Sequence, residues 1–127
     1  MNRVGQPERP AIEVNHSRTV NAEVLRQLCA GIEEEGVPHV LVPRSSELDA
    51  VAAAARGAER SMLDVGIGLG DNGAVAIAQS SFPADQPVLR SEGQPSPDLA
   101  RRLGQNAARM VTRLPLELSF PPPHNAR

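Results

Sequence analysis

The sequence predicts an α/β domain built on a mixed, mainly parallel sheet with helices on both faces. Three observations predict it. Short apolar runs of strand length alternate with amphipathic segments of helical period. Asp71-Asn72-Gly73, between two apolar runs, is a hairpin signal that would turn one strand antiparallel. The last long segment opens on Ser96-Pro97-Asp98, the chemistry of a helix start.

In chain order, Ala11 to Asn15 reads as a first strand. Asn21 then caps a helix over Ala22 to Glu35, with Val24, Leu25, Leu28, Cys29 and Ile32 on one face and Gly36 and Pro38 as its stop. His39 to Val42 is the second strand. Ser46 with Asp49 resembles a capping box for an Ala-rich helix whose stripe is Leu48, Val51, Ala52 and Ala55 and whose end lies near Gly57. Met62 to Ile67 and Ala74 to Gln79 read as the third and fourth strands, joined by the hairpin. A polar, Pro-rich loop from Ser81 to Pro95 leaves room for a brief strand at Val88 to Arg90. The final helix runs from Pro97 to about Thr112 behind a Ser96 cap, with Leu99, Leu103, Ala107 and Met110 inward. Residues 1–10 are expected to be a flexible lead, 11–118 the domain, and the Pro-rich 119–127 an extended or disordered tail.

At 127 residues the chain is expected to form one domain, and its hydrophobic and charged fractions are those of a soluble protein. No apolar run approaches membrane-spanning length and Met1 to Pro10 has no apolar signal core, so the expected location is the cytoplasm. A net charge of -2 and only Phe82 and Phe120 as aromatics argue against nucleic-acid binding. Every basic residue is arginine, which excludes a phosphate loop ending in Gly-Lys-Ser/Thr and any Schiff-base lysine. The single Cys29 and the three histidines at 16, 39 and 124 show no metal-ligand spacing, and Cys29 on an apolar stripe reads as structural.

Gly68-Leu69-Gly70-Asp71-Asn72-Gly73 matches the G-x-G-x-x-G pattern of dinucleotide sites, but β-like Ala74 to Gln79 follows where a helix would have to open. The hairpin is the better reading. Glu33-Glu34-Glu35 is more informative. Three carboxylates in a last helical turn oppose the macrodipole and repel one another, so local stability does not ask for them. At 100° per residue Glu34 falls nearly opposite the apolar stripe, pointing to solvent or a partner, with Glu33 and Glu35 flanking it. Arg101, Arg102, Arg109 and Arg113 decorate the last helix and could meet carboxylates of a partner.

Leu28-Cys29-Ala30-Gly31-Ile32-Glu33-Glu34-Glu35-Gly36-Val37-Pro38 closely resembles the Gly-Ile-Glu-Glu-Glu-Gly-Ile-Pro signature of small subunits of diol and glycerol dehydratase reactivases. Leu63-Asp64-Val65-Gly66-Ile67 resembles that family's third strand, and Gly104-Gln105-Asn106-Ala107-Ala108-Arg109-Met110-Val111 with Leu114-Pro115 resembles its last helix and exit. The resemblance covers about residues 10 to 118. It implies a three-layer Rossmann-like domain, similar to anticodon-binding domains, with a five-stranded mixed sheet whose fourth strand is antiparallel. It also implies a subunit without catalytic residues of its own. Its partner would be a large, chaperone-like ATPase subunit, with a heterotetramer expected, and the complex would free inactivated cobalamin-dependent dehydratase of its damaged cofactor. The family places a metal ligand at Glu34, for Mg²⁺ or Ca²⁺ at the contact with the large subunit, as suits a carboxylate and a hard cation. The expected partner surface is Glu33, Glu34, Glu35 and Arg109. The alternative reading is a medium subunit of the dehydratase itself, against which the short lead before the first strand argues. Glycerol versus propane-1,2-diol, and association with a microcompartment, stay open.

Overall fold

The computed structural model describes residues 9–44 and 49–112. Eight elements follow in the order β1 (Ile12–Ser17), α1 (Ala22–Glu34), β2 (His39–Arg44), α2 (Ala50–Arg60), β3 (Val65–Leu69), β4 (Val75–Gln79), β5 (Leu89–Arg90) and α3 (Pro97–Thr112). The sheet order is β2-β1-β3-β4-β5, with β2, β1 and β3 parallel and β4 antiparallel to both β3 and β5. The α/β class, the five strands and the reversed fourth strand are therefore as expected.

The crossovers dictate the layers. From β1 the chain steps outward through α1 to β2, then returns past β1 through α2 to β3. Right-handed crossovers running in opposite directions along a sheet place their helices on opposite faces. Side-chain alternation matches. Ile12, Val14, Val65, Ile67, Leu69, Val75 and Ile77 point to the face covered by α1 and α3, where they pack with Val24, Leu28, Ile32 and Leu103. Each such fully buried aliphatic side chain contributes about 1.5–3 kcal/mol. The other face is lined by small residues, Ala76 and Ala78 among them, and α2 meets it with Ala50, Ala54 and Ala58.

That second layer is close-packed because β3 alternates large residues with glycine. A Cβ on Gly66 would stand 2.2 Å from the Ala58 nitrogen and one on Gly68 2.2 Å from the Ala50 carbonyl oxygen. Of the glycines in the dinucleotide-like pattern, Gly68 is thus needed for helix-on-sheet contact, as is Gly66 just before it. The turn after them is a hairpin, with Gly73 at φ 89° and the Gly70 nitrogen donating to the Ala74 carbonyl at 2.9 Å.

Several boundaries differ from expectation, each for a local reason. β2 runs through Pro43 to Arg44. In the parallel ladder the Pro43 nitrogen faces away from β1, on the open edge where no donor is required. α2 does not stop at Gly57 but continues to Arg60, because Gly57 sits against β1, where a Cβ would come within 3.1 Å of the Glu13 carbonyl oxygen. Its buried stripe is Ala50, Ala53, Ala54, Gly57 and Ala58 rather than Val51, Ala52 and Ala55. Asp49, not Ser46, is its N-cap, accepting from the Ala52 nitrogen at 2.9 Å. Ser46 and Leu48 lie outside the described residues. β3 begins at Val65 rather than Met62, since residues 61–64 form a turn in which Asp64 adopts φ 64°. The segments 1–8 and 113–127, including the Pro-rich tail, Arg113, Phe120 and Leu114-Pro115, also lie outside the described residues. No helix among the described residues is long and apolar enough to cross a membrane.

Candidate functional site

The outer surface of the α1–α3 layer gathers the charged residues that the sequence singled out. α1 starts as expected, with the Asn21 side chain accepting from the Val24 nitrogen at 3.0 Å. It ends at Glu34, with Glu35 as C-cap and Gly36 at φ 76°. α3 starts with the Ser96 hydroxyl accepting from the Leu99 nitrogen at 3.1 Å.

The two helices touch at glycines. A Cβ on Gly31 would lie 2.1 Å from the Arg101 carbonyl oxygen, and one on Gly104 2.0 Å from the Leu28 carbonyl oxygen. This approach gives α1 a second inward direction, along Gln27, Gly31 and Glu34, which recur at i, i+4 and i+7 and meet Arg101 and Gln105. Glu34 is exposed, as expected, but it also meets partners within the chain that its projection on α1 did not indicate. Its carboxylate accepts from Arg101 Nε at 3.0 Å and from the Arg101 Nη2, and its Oε1 accepts from the Gln105 amide at 2.6 Å. Arg101 Nη1 donates to Gln27 Oε1 at 2.7 Å. Gln27 donates in turn to Glu23, which also holds Arg26. One turn beyond, Arg109 pairs with Glu35 at 3.3 Å.

The resulting ridge is a line of alternating charges and amides from Arg26 to Arg109. It remains open to solvent, the side chains of Glu34 and Arg101 being 41% and 38% exposed. The Arg101 hydrogen bonds, then that from Gln105, hold the Glu34 carboxyl below its ordinary value, and the Glu34 carboxylate raises Arg101 in return. Glu23 is lowered by the Gln27 amide and then by Arg26. Glu33 is exposed, and its charge reaches Cys29. Cys29 is half-buried, and burial first, the Glu33 charge second, push its thiol up to about 11. Of the expected interface residues, then, the fold brings Glu34, Glu35 and Arg109 into one surface and leaves Glu33 at its margin. Sequence reasoning did not pick out Gln27 and Arg101 as partners of Glu34; the paired helix-interior glycines Gly31 and Gly104 were the signal that could have found them.

No three His, Cys, Asp or Glu side chains come together as a metal cage among the described residues. What Glu34 offers a cation is one carboxylate, with the neutral Gln105 amide on Oε1 and the Arg101 guanidinium on Oε2. That donor set fits a single ligand of a hard cation whose remaining ligands come from water or a partner.

Comparison with known proteins identifies the family of the chain. The family model described as dehydratase medium subunit matches residues 9–117. The chain is 34% identical over 100 residues, 79% of its own length and 86% of the relative's, to a probable glycerol dehydratase-reactivating factor small subunit of Citrobacter freundii. It is 32% identical over 94 residues, 74% of its length and 79% of the relative's, to a propanediol dehydratase-reactivating factor small subunit of Salmonella typhimurium. Among solved structures it superposes on a glycerol dehydratase reactivase with TM-score 0.81 and 35% identity, covering 86% of this chain and 97% of that one. A diol dehydratase-reactivating factor complexed with ADP and Mg²⁺ superposes with TM-score 0.78 and 29% identity, covering 87% and 99%. With its α/β fold and these likenesses in agreement, the chain belongs to the dehydratase medium subunit family, as a small subunit of a dehydratase-reactivating factor.

Proposed function

We propose that this chain is the non-catalytic partner of a large ATPase subunit, and that their complex exchanges damaged cobalamin out of a diol or glycerol dehydratase. The observation that carries the reading is the likeness to reactivase small subunits over nearly the whole described domain. The side chains present support it: without a lysine the chain has no phosphate-loop ammonium. ATP hydrolysis falls to the large subunit, and the ADP and Mg²⁺ of the related complex suit such a division of labour.

In this reading Glu33, Glu34, Glu35 and Arg109 meet the large subunit in a heterotetramer, and Glu34 supplies one ligand to Mg²⁺ or Ca²⁺ there. The cation would link a carboxylate of one subunit to donors of the other. The charged ridge suits this role, because complementary charges across an interface fix its register and suppress wrong partners.

Reactivation itself is a swap. A domain of the medium subunit family and the dehydratase's own medium subunit compete for one surface on the large subunit. When the small subunit leaves, the large subunit takes hold of the dehydratase there, and steric conflict opens a path for the damaged cofactor. ATP and ADP bias the exchange through their different affinities for the two assemblies. Mixing the reactivase complex with inactivated dehydratase and nucleotide should therefore release free small subunit, seen by native gel or size exclusion. Cofactor release with every small subunit still bound would refute the swap, and ATP or diol turnover by the homogeneous chain alone would refute the non-catalytic role.

A further inference from the structure

The Glu34 carboxylate already has a cation. Arg101 reaches it with Nε and Nη2 and is itself steered by Gln27, which accepts from the third guanidinium nitrogen at 2.7 Å. All three nitrogens of Arg101 are thus held by two side chains on one face of α1, about two turns apart, while the helices beneath are locked at Gly31 and Gly104. The guanidinium is a placed group rather than a wandering surface charge. A divalent cation on Glu34 would need the lone pairs that Arg101 occupies, and it would bring a second positive charge to within contact of the first.

From this geometry we infer that Arg101 is the built-in competitor for the Glu34 cation site. In the free chain its guanidinium neutralises Glu34 and keeps the carboxylate from collecting divalent cations. On cation binding Arg101 gives up Glu34, keeps Gln27, and is freed to meet an acceptor on the partner. Gln105 holds the carboxylate orientation in both states, because a neutral amide on Oε1 leaves the net charge for the metal. The inference rests on the reading of Glu34 as a cation ligand, and it adds a residue that sets the affinity and selectivity of that site. Substituting Arg101 should therefore strengthen cation binding, the reverse of what losing a supporting residue would do.

Mn²⁺ broadening of backbone amide signals tests this on the full-length chain labelled with ¹⁵N. Mn²⁺ takes the same oxygen ligands, and the readout is local. In the wild-type chain, broadening around Glu34 and Gln105 should need more Mn²⁺ than in Arg101→Gln, by roughly two- to fivefold, the range that an exposed ion pair can withhold. Arg101→Lys, which keeps the charge but loses the fork, should fall between them. Glu34→Gln should remove the broadening at these positions, and unchanged Gly31 and Gly104 signals in each variant would show that the helix pair is intact. Equal or greater Mn²⁺ demand in Arg101→Gln, with Glu34→Gln silent, would overturn the competition and leave the ligand role standing. Undiminished broadening in Glu34→Gln would remove that ligand role, and the inference with it.

Discussion

Gly31 of α1 and Gly104 of α3 interlock: each stands where a methyl group would collide with the other helix's backbone, 2.1 Å from the Arg101 carbonyl oxygen and 2.0 Å from that of Leu28. The contact brings Glu34 within reach of Arg101 and Gln105, so the packing of two residues without side chains determines the chemistry of three that have them.

Gly104→Ala should destabilise the chain by about 1–3 kcal/mol, the usual cost of forcing a group into a full space. The sign is diagnostic, because in an uncrowded helix interior the same change stabilises by roughly 0.5–1 kcal/mol. Urea unfolding followed by circular dichroism measures it. Any stabilisation would mean that the helices can part freely.

Glu34→Ala should leave the fold intact, since its exposed side chain contributes no core packing. Its affinity for the large subunit should nevertheless fall on the order of thirtyfold or more with Mg²⁺ present, as expected when a charged interface group loses its counterpart. Calorimetric titration of wild type and variant would separate them; equal affinities would return Glu34 to the role of an intramolecular ion-pair partner.

The same carboxylate makes a pH prediction. Its pKa is lowered from an ordinary 4.5 by Arg101 first and Gln105 second. A group lowered in the folded state contributes stability above its unfolded pKa, and that contribution is lost as pH falls through the folded value. Wild type should therefore lose its advantage over Glu34→Gln as the pH drops below the ordinary carboxylate range. Added salt should shrink the difference at neutral pH, since the pair is open to solvent. Urea midpoints across that range, at low and high salt, are the measurement.

Cys29 should be slow to alkylate. Raising its pKa from 9.0 to about 11 leaves less thiolate at mildly alkaline pH, on the order of a hundredfold less. Native labelling with iodoacetamide should accordingly lag labelling in urea by a comparable factor, and equal rates would show that the thiol is neither screened nor near Glu33.

Element order, the hairpin and the caps at Asn21 and Ser96 were legible in the sequence, because each rests on residues close in the chain. Side-chain periodicity, turn glycines and capping oxygens act within a few positions of where they stand. The Glu33-Glu34-Glu35 run was likewise conspicuous as a local anomaly. What only the tertiary structure decided is everything that depends on two distant segments meeting. The buried stripe of α2 is not legible in the sequence because alanine and glycine look nearly silent in a hydrophobic pattern, yet Ala54 and Gly57 are the residues small enough to sit on Gly66, Glu13 and Asn15. The partners of Glu34 within the chain are not legible in a helical projection, which knows one buried direction, toward the sheet. A helix in a two-helix layer has a second, toward its neighbour, and the crossing at Gly31 and Gly104, 73 positions apart in the chain, is what turns Glu34 to face Arg101.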